Sequence, residues 1–341
     1  MPAESSPDTM ALPSACPAPV AAPWRNRLIF LLGAAFCLTP WASPGLALIL
    51  GVLLALSCEH PCPKAGRKAS RWLLQISVVM LGFGMNLILV LHAGLTGLAM
   101  AAGTITITFV LGALLARWLR IQPTTSLLIS AGTAICGGSA IAAVGSVLGV
   151  AEAQMTVALG TVFLLNAVAL YLFPVLGHLM HLSQTQFGAW SGVAIHDISS
   201  VVGAASTYGT KALQIATAVK LSRALWIVPV ALVVAHFHRP AAGSPASSTQ
   251  APPAPARRFP VPWFIGCFIL ASLARTFIPG VASASPALTI AARIGLTLTL
   301  FLIGAGLSRQ TLKAVGVRPM VQGIILWAFI SVTSILAIHF L

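Results

Sequence analysis

Long apolar runs constrain this chain more than any other feature. Stretches of roughly 20 residues, each able to cross a hydrocarbon core about 30 Å thick, recur from residue 27 to residue 340. Charge is correspondingly scarce. Only 7% of the 341 residues are Asp, Glu, Lys or Arg, against about 25% in soluble domains, so a soluble fold is excluded. The runs are continuous rather than alternating, which excludes a transmembrane β-barrel. What remains is an all-α, polytopic membrane protein.

The spacing predicts eleven membrane segments, at about 27–41, 44–57, 72–91, 95–116, 124–148, 155–177, 187–207, 212–236, 261–278, 287–307 and 319–340. A net charge of +14 suggests nucleic acid at first sight. It is better explained by the excess of Lys and Arg that cytoplasmic loops carry. With the N-terminus inside, the inner loops hold Arg25, Arg27, Lys64, Arg67, Lys68, Arg71, Arg117, Arg120, Arg239, Arg257, Arg258, Arg309, Lys313 and Arg318, which is 14 of the 19 basic residues. The expected topology therefore has the N-terminus in the cytoplasm and the C-terminus on the far side of the membrane. Residues 1–24, rich in Pro, Ala and Ser, read as a disordered cytoplasmic tail. Residues 239–258 read as a Pro/Ala/Ser cytoplasmic loop inside one transport domain, whose parts are 25–238 and 259–341.

Two segments contain helix-weakening sequence. Gly132-Thr133-Ala134-Ile135-Cys136-Gly137-Gly138-Ser139 matches Gly192-Val193-Ala194-Ile195-His196-Asp197-Ile198-Ser199 at an offset of 60, with Ser146 and Ser206 continuing the register. Paired breaks of this kind mark transport sites built from discontinuous helices. Each can be an interrupted span or a re-entrant hairpin, because the connections that decide carry only Glu152 and the uncharged run 177–186. A second echo relates Leu81-Gly82-Phe83-Gly84-Met85 to Ile303-Gly304-Ala305-Gly306-Leu307. It joins segments three and ten, which run in opposite directions, as in an inverted-topology duplication.

The residues with chemistry gather at the breaks. Of five acids, Glu4, Asp8, Glu59 and Glu152 fall in polar or loop-like sequence, and only Asp197 lies in an apolar layer. A charge at the bilayer centre costs about 2.5–3.5 kcal/mol on insertion scales, so such a residue faces a cavity or a partner. The expectation is a coupling carboxylate, with His196, whose class titrates near neutral pH, assisting. The bland alternative is a helix cap at an interface. Lys220 and Arg223 stand at i and i+3, on one helix face, too deep to snorkel. One of them can balance Asp197. The surplus positive charge suits an oxyanion, unless both cations are held structurally by carbonyls and helix C-termini. At the first break, Gly137 and Gly138 free N–H groups at a half-helix N-terminus, where the dipole favours an anion. Thr133, Cys136, Ser139, Ser199 and Ser200 line the expected substrate site. Packing by small residues is the alternative.

Other functions lack support in the sequence. Cys58-Glu59-His60-Pro61-Cys62 has the wrong count and spacing for structural zinc, so no metal site or cofactor is expected. No Walker loop, nucleophile elbow or His-Glu-x-x-His helix appears, and an enzyme is not expected.

Taken in order and at these separations, Ile135–Ala140, Gly192–Asp197 and Lys220-Leu221-Ser222-Arg223 resemble the bacterial sulfate exporter family of the YeiH type. The Leu81–Met85 stretch and the entry Pro260-Val261-Pro262-Trp263-Phe264 fit the same pattern. The resemblance covers about 27–341 and implies an inner-membrane protein of ten or eleven helices. It also implies kinship with cation/proton antiporters and anion transporters. The expected function is a secondary transporter exporting a small anion, sulfate or a sulfur-containing or organic one, coupled to H+ or Na+. The alternative is a cation/proton antiporter with Asp197 paired to Lys220. The expected partners are the anion, the coupling ion and the lipid bilayer, with no nucleic acid. A homo-oligomer is compatible with the sequence.

Overall fold

The computed structural model describes residues 24–39, 41–57, 63–85, 87–237, 263–306 and 315–339. Among them the regular structure is helical: α1 (Trp24–Phe36), α2 (Pro44–Ser57), α3 (Pro63–Gly82), α4 (Leu87–Leu119), α5 (Pro123–Ala134), α6 (Gly138–Leu148), α7 (Glu152–Leu179), α8 (Gln184–Ala194), α9 (Ile198–Tyr208), α10 (Thr210–Ala224), α11 (Ile227–Phe237), α12 (Trp263–Phe277), α13 (Pro279–Ala305) and α14 (Val317–His339). Five stretches are long and apolar enough to span a bilayer: Ala101–Leu119, Ala153–Leu179, Thr210–Phe237, Ser283–Ala305 and Val317–Ile338. In hydrocarbon every backbone polar group must be satisfied within the chain, which is why the apolar runs become helices. The protein is a multi-pass membrane protein.

The N-terminal tail up to residue 23, the loop 239–258 and Cys58–Cys62 lie outside the described residues.

Several expected boundaries need correction. The third and fourth segments divide at 83–85, not at 92–94. Gly82-Phe83-Gly84 turns the chain, with Phe83 N–H donating to Met80 O at 3.2 Å and Gly84 N–H to Leu81 O at 2.9 Å. Gly94 and Gly97 remain inside α4, which is 33 residues long, because leaving the helix there would strand backbone groups in an apolar layer. The eighth segment is divided at Leu225-Trp226. Pro229 has no N–H to give to Leu225 O and its ring crowds that carbonyl, so the helix restarts at Ile227.

The two Gly-rich breaks are reversals. A Cβ built on Gly132 would meet Ile141 Cγ1 at 2.9 Å, and one on Gly145 would lie 3.6 Å from Leu128 Cδ2. In one straight helix residues 128 and 145 would stand about 25 Å apart. α5 and α6 therefore fold back on each other as a hairpin with its tip at Ile135-Cys136-Gly137. α8 and α9 do the same around Ile195-His196-Asp197. Phe187 near the start of α8 stacks on Tyr208 at the end of α9, with ring centroids 3.8 Å apart. Gln184 Oε1 accepts from Lys211 N–H at 3.0 Å. Local signals set the entries: Pro123 opens α5, and Ser183 with Gln186 forms a capping box that starts α8.

This geometry predicts a specific cross-link. In Phe187→Cys/Tyr208→Cys protein, a short bis-methanethiosulfonate reagent should join positions 187 and 208, seen by peptide mass mapping. Collinear half-helices would hold the two thiols about 30 Å apart, and no link would form.

The helices sort into two bundles. α1, α2, α3, α12 and α13 pack together, and α4 to α11 pack with α14. The two bundles meet chiefly through α9 with α13, α4 with α12, and α2 with α7 and α9. The echoed glycines are close-approach points within the first bundle. Gly82 faces Phe268 O at 2.7 Å and Gly304 faces Leu48 O at 2.6 Å, as measured from a built Cβ.

Candidate functional site

The hairpin tips touch. Gly137 adopts φ +69° and ψ −126°, a conformation essentially closed to residues with a side chain. A Cβ there would stand 3.5 Å from Asp197 Cβ and 3.5 Å from His196 O. The first tip thus lies directly against the second, and the residues expected at the two breaks share one place.

The tips differ in how their outgoing helices begin. Asp197 is the N-cap of α9. Its Oδ2 accepts the N–H of Ser199 at 3.0 Å and also the Ser199 hydroxyl. The capping alternative for Asp197 is therefore correct as geometry, but the residue caps a helix inside the bundle, half-buried. At α6 the N-cap is Gly137, with no side chain to accept the first-turn N–H groups. The Cys136 sulfur accepts the Ala140 N–H; the N–H groups of Gly138 and Ser139 remain, with the partial positive charge of the helix end. Cys136 Sγ lies 2.8 Å from Ser139 Oγ; Cys136 is buried and Ser139 is exposed. Ser199 and Ser200 are buried, as is Thr133, whose Oγ1 has no hydrogen-bond partner.

α10 delivers the cations. Gly188 and Gly192, one turn apart on α8, let its backbone approach closely, with Ala212 O and Ala216 O at 2.8 and 2.9 Å from built Cβ positions. Lys220 and Arg223 are both 0% exposed, but their surroundings differ. Arg223 donates through Nη1 to Thr104 Oγ1 at 3.0 Å and through Nη2 to Ala134 O, the last carbonyl of α5. A cation at a helix C-terminus is favourably placed, so the structural alternative describes Arg223 well. Lys220 Nζ has no hydrogen-bond partner. It lies within electrostatic reach of Cys136, Asp197 and Arg223. The pairing of Lys220 with Asp197 that the antiporter alternative calls for is not formed as a hydrogen bond; Asp197 Oδ2 is turned to Ser199 at the N-terminus of α9. Arg293, on α13, is exposed. Both ring nitrogens of His196, which is 1% exposed, are also without partners.

One central residue escaped the reading of the sequence. Asn166 on α7 is 3% exposed. Its Oδ1 accepts the N–H groups of His196 at 3.1 Å and Asp197 at 3.3 Å. It holds the second tip in extended geometry, and its Nδ2 has no partner. The available signal was a lone amide in Phe163-Leu164-Leu165-Asn166-Ala167-Val168. Lys220 Nζ, Asn166 Nδ2, Arg223 Nε and the Thr133 hydroxyl are thus buried donors that go unused around the tips. Among the described residues no cluster of three or more His, Cys, Asp or Glu side chains suits a metal ion.

A family model described as Conserved hypothetical protein 698 matches residues 28–334. A UPF0324 membrane protein of Porphyromonas gingivalis is 48% identical over 308 residues, covering 87% of each chain. One from Bacteroides thetaiotaomicron is 45% identical over 302 residues, covering 88% of this chain and 87% of that protein. UPF0324 membrane protein Bd1437 of Bdellovibrio bacteriovorus is 43% identical over 312 residues, covering 92% and 94%. No solved structure matches the chain.

Proposed function

This chain belongs to the Conserved hypothetical protein 698 family, the UPF0324 membrane proteins or YeiH-type sulfate exporter group, and from that premise we propose that it is a secondary transporter exporting a small anion across the inner membrane. One observation carries the reading: the unpartnered, fully buried Lys220 Nζ lies within electrostatic reach of Cys136 at the start of α6, whose N-cap Gly137 offers no side chain. A buried unpaired cation is costly. An anion that accepts from Lys220 and from the first-turn amides of α6 removes that cost. The anion is sulfate or a sulfur-containing or organic one, and its movement is coupled to H+ or Na+ at Asp197 and His196.

In the bilayer the two hairpins re-enter from opposite faces and meet near the midplane. α5 and α6 enter from the cytoplasm, and α8 and α9 from the periplasm. The spans are then α1, α2, α3, α4, α7, the α10–α11 pair, α12, α13 and α14. This arrangement keeps the N-terminus inside and Arg117, Arg120 and Arg318 on the cytoplasmic side, in accord with the positive-inside rule. The narrow contact between the two bundles supports alternating access by motion of one against the other. The antiporter reading is weaker, since Asp197 Oδ2 is engaged by Ser199 and a hard cation needs several oxygen ligands.

The test is counterflow in proteoliposomes with labelled sulfate, methanesulfonate and acetate under an imposed proton or sodium gradient. Saturable uptake of at least one anion is expected. Folded protein that moves none of them, yet exchanges Na+ for H+, would establish the antiporter reading instead.

A further inference from the structure

We infer that the site is charge-matched to a singly charged anion, and that a doubly charged one enters only together with a proton. The inference rests on the anion reading above and names the class of anion. Each element at the tips brings its own charges. α10 brings two cations, Lys220 and Arg223, which are the fully buried Lys and Arg side chains among the described residues. The second tip brings one carboxylate, Asp197, and one imidazole, His196. The first tip brings one thiol, Cys136. α7 and α4 contribute only the neutral Asn166 and Thr104. The charges act on one another: Lys220 on Asp197, His196 and Cys136, and Arg223 on His196 and Lys220.

Helix ends change this count little. The N-termini of α6 and α9 bring partial positive charge to the tips, and the C-termini of α5 and α8 bring comparable partial negative charge. Arg223 already sits on the α5 end through Ala134 O. With imidazole and thiol uncharged, two cations and one carboxylate leave a single net positive charge. One monovalent anion neutralises it. A dianion would leave an uncompensated negative charge inside the bundle, at the intramembrane cost noted above. The Asp197 carboxylate, half-buried at the second tip, is the group placed to take the proton that a dianion requires. Size does not enter the argument, because sulfate and methanesulfonate are nearly isosteric and differ in charge.

The experiment compares sodium sulfate with sodium methanesulfonate at matched ionic strength and pH 7.5. It reads the midpoint of ligand-induced thermal stabilisation for the full-length protein, wild type and Asp197→Asn. Asn is as good an N-cap as Asp, so the variant keeps α9, while the net charge of the site rises by one. The expected result is that wild type responds to methanesulfonate at a concentration lower by about tenfold or more. Asp197→Asn should reverse the order. Sulfate binding to wild type should be accompanied by uptake of one proton, read in weakly buffered solution. A wild-type preference for sulfate without proton uptake, unchanged in Asp197→Asn, overturns the charge match and leaves the anion site standing. Stabilisation by neither salt in folded wild type overturns the anion site itself, and this inference with it.

Discussion

Lys220→Met should abolish anion binding and, at the same time, make the protein more stable. Lys220 is fully buried and its ammonium has no hydrogen-bond partner. Replacing such a charge by an apolar side chain of similar length removes its desolvation penalty, on the order of several kcal/mol per ion. Thermal unfolding in detergent without added anion should show the gain. Addition of anion, which raises the midpoint of wild type, should leave the variant unmoved. A stabilising effect with loss of ligand response separates a binding cation from a structural one. If Lys220→Met lowers stability instead, the ammonium has partners in the folded protein, and the site described here does not exist.

Arg223→Met should act with the opposite sign. Arg223 sits three residues away on the same face and is equally buried, but its guanidinium is engaged by Thr104 and by the last carbonyl of α5. Its loss strands that carbonyl inside the bundle and removes two hydrogen bonds from a charged group. A destabilisation of about 2 kcal/mol is expected, with the shift of the unfolding midpoint as readout. Arg223→Lys should recover part of it, since an ammonium can reach one acceptor but lacks the guanidinium fork. Two neighbouring cations with opposite signs of effect would be hard to obtain if both merely anchored the helix.

The sequence made much of this place legible, and for a physical reason. In an apolar chain every charge is conspicuous, so Asp197, Lys220 and Arg223 stand out without knowledge of their contacts. The glycines at 132, 137, 138 and 192 mark where the backbone leaves the helix or is closely approached. The direction taken by the chain at those breaks was not legible. Orientation rests on Lys and Arg in the loops, and the loops flanking α7 have none, so straight and folded-back half-helices predict the same charge pattern. The structure distinguishes them through packing between residues far apart in sequence, such as Phe187 on Tyr208. The division of labour between the cations was hidden for a similar reason. It depends on which acceptors α4 and α5 bring near, and helical periodicity gives Lys220 and Arg223 the same face. Asn166 was missed because a single amide in an apolar helix is usually a contact between helices. Only the tip folding onto α7 reveals that it holds the His196–Asp197 backbone.

The position of the anion is tested most directly by soaking crystals of the full-length protein with 2-bromoethanesulfonate and locating bromine by anomalous scattering. Bromine density is expected at the meeting point of the two hairpin tips, with the sulfonate oxygens accepting from Lys220 Nζ and from the N–H groups of Gly138 and Ser139. Ordered bromine only elsewhere, with Lys220 engaged by a protein acceptor in the same crystals, would contradict this placement.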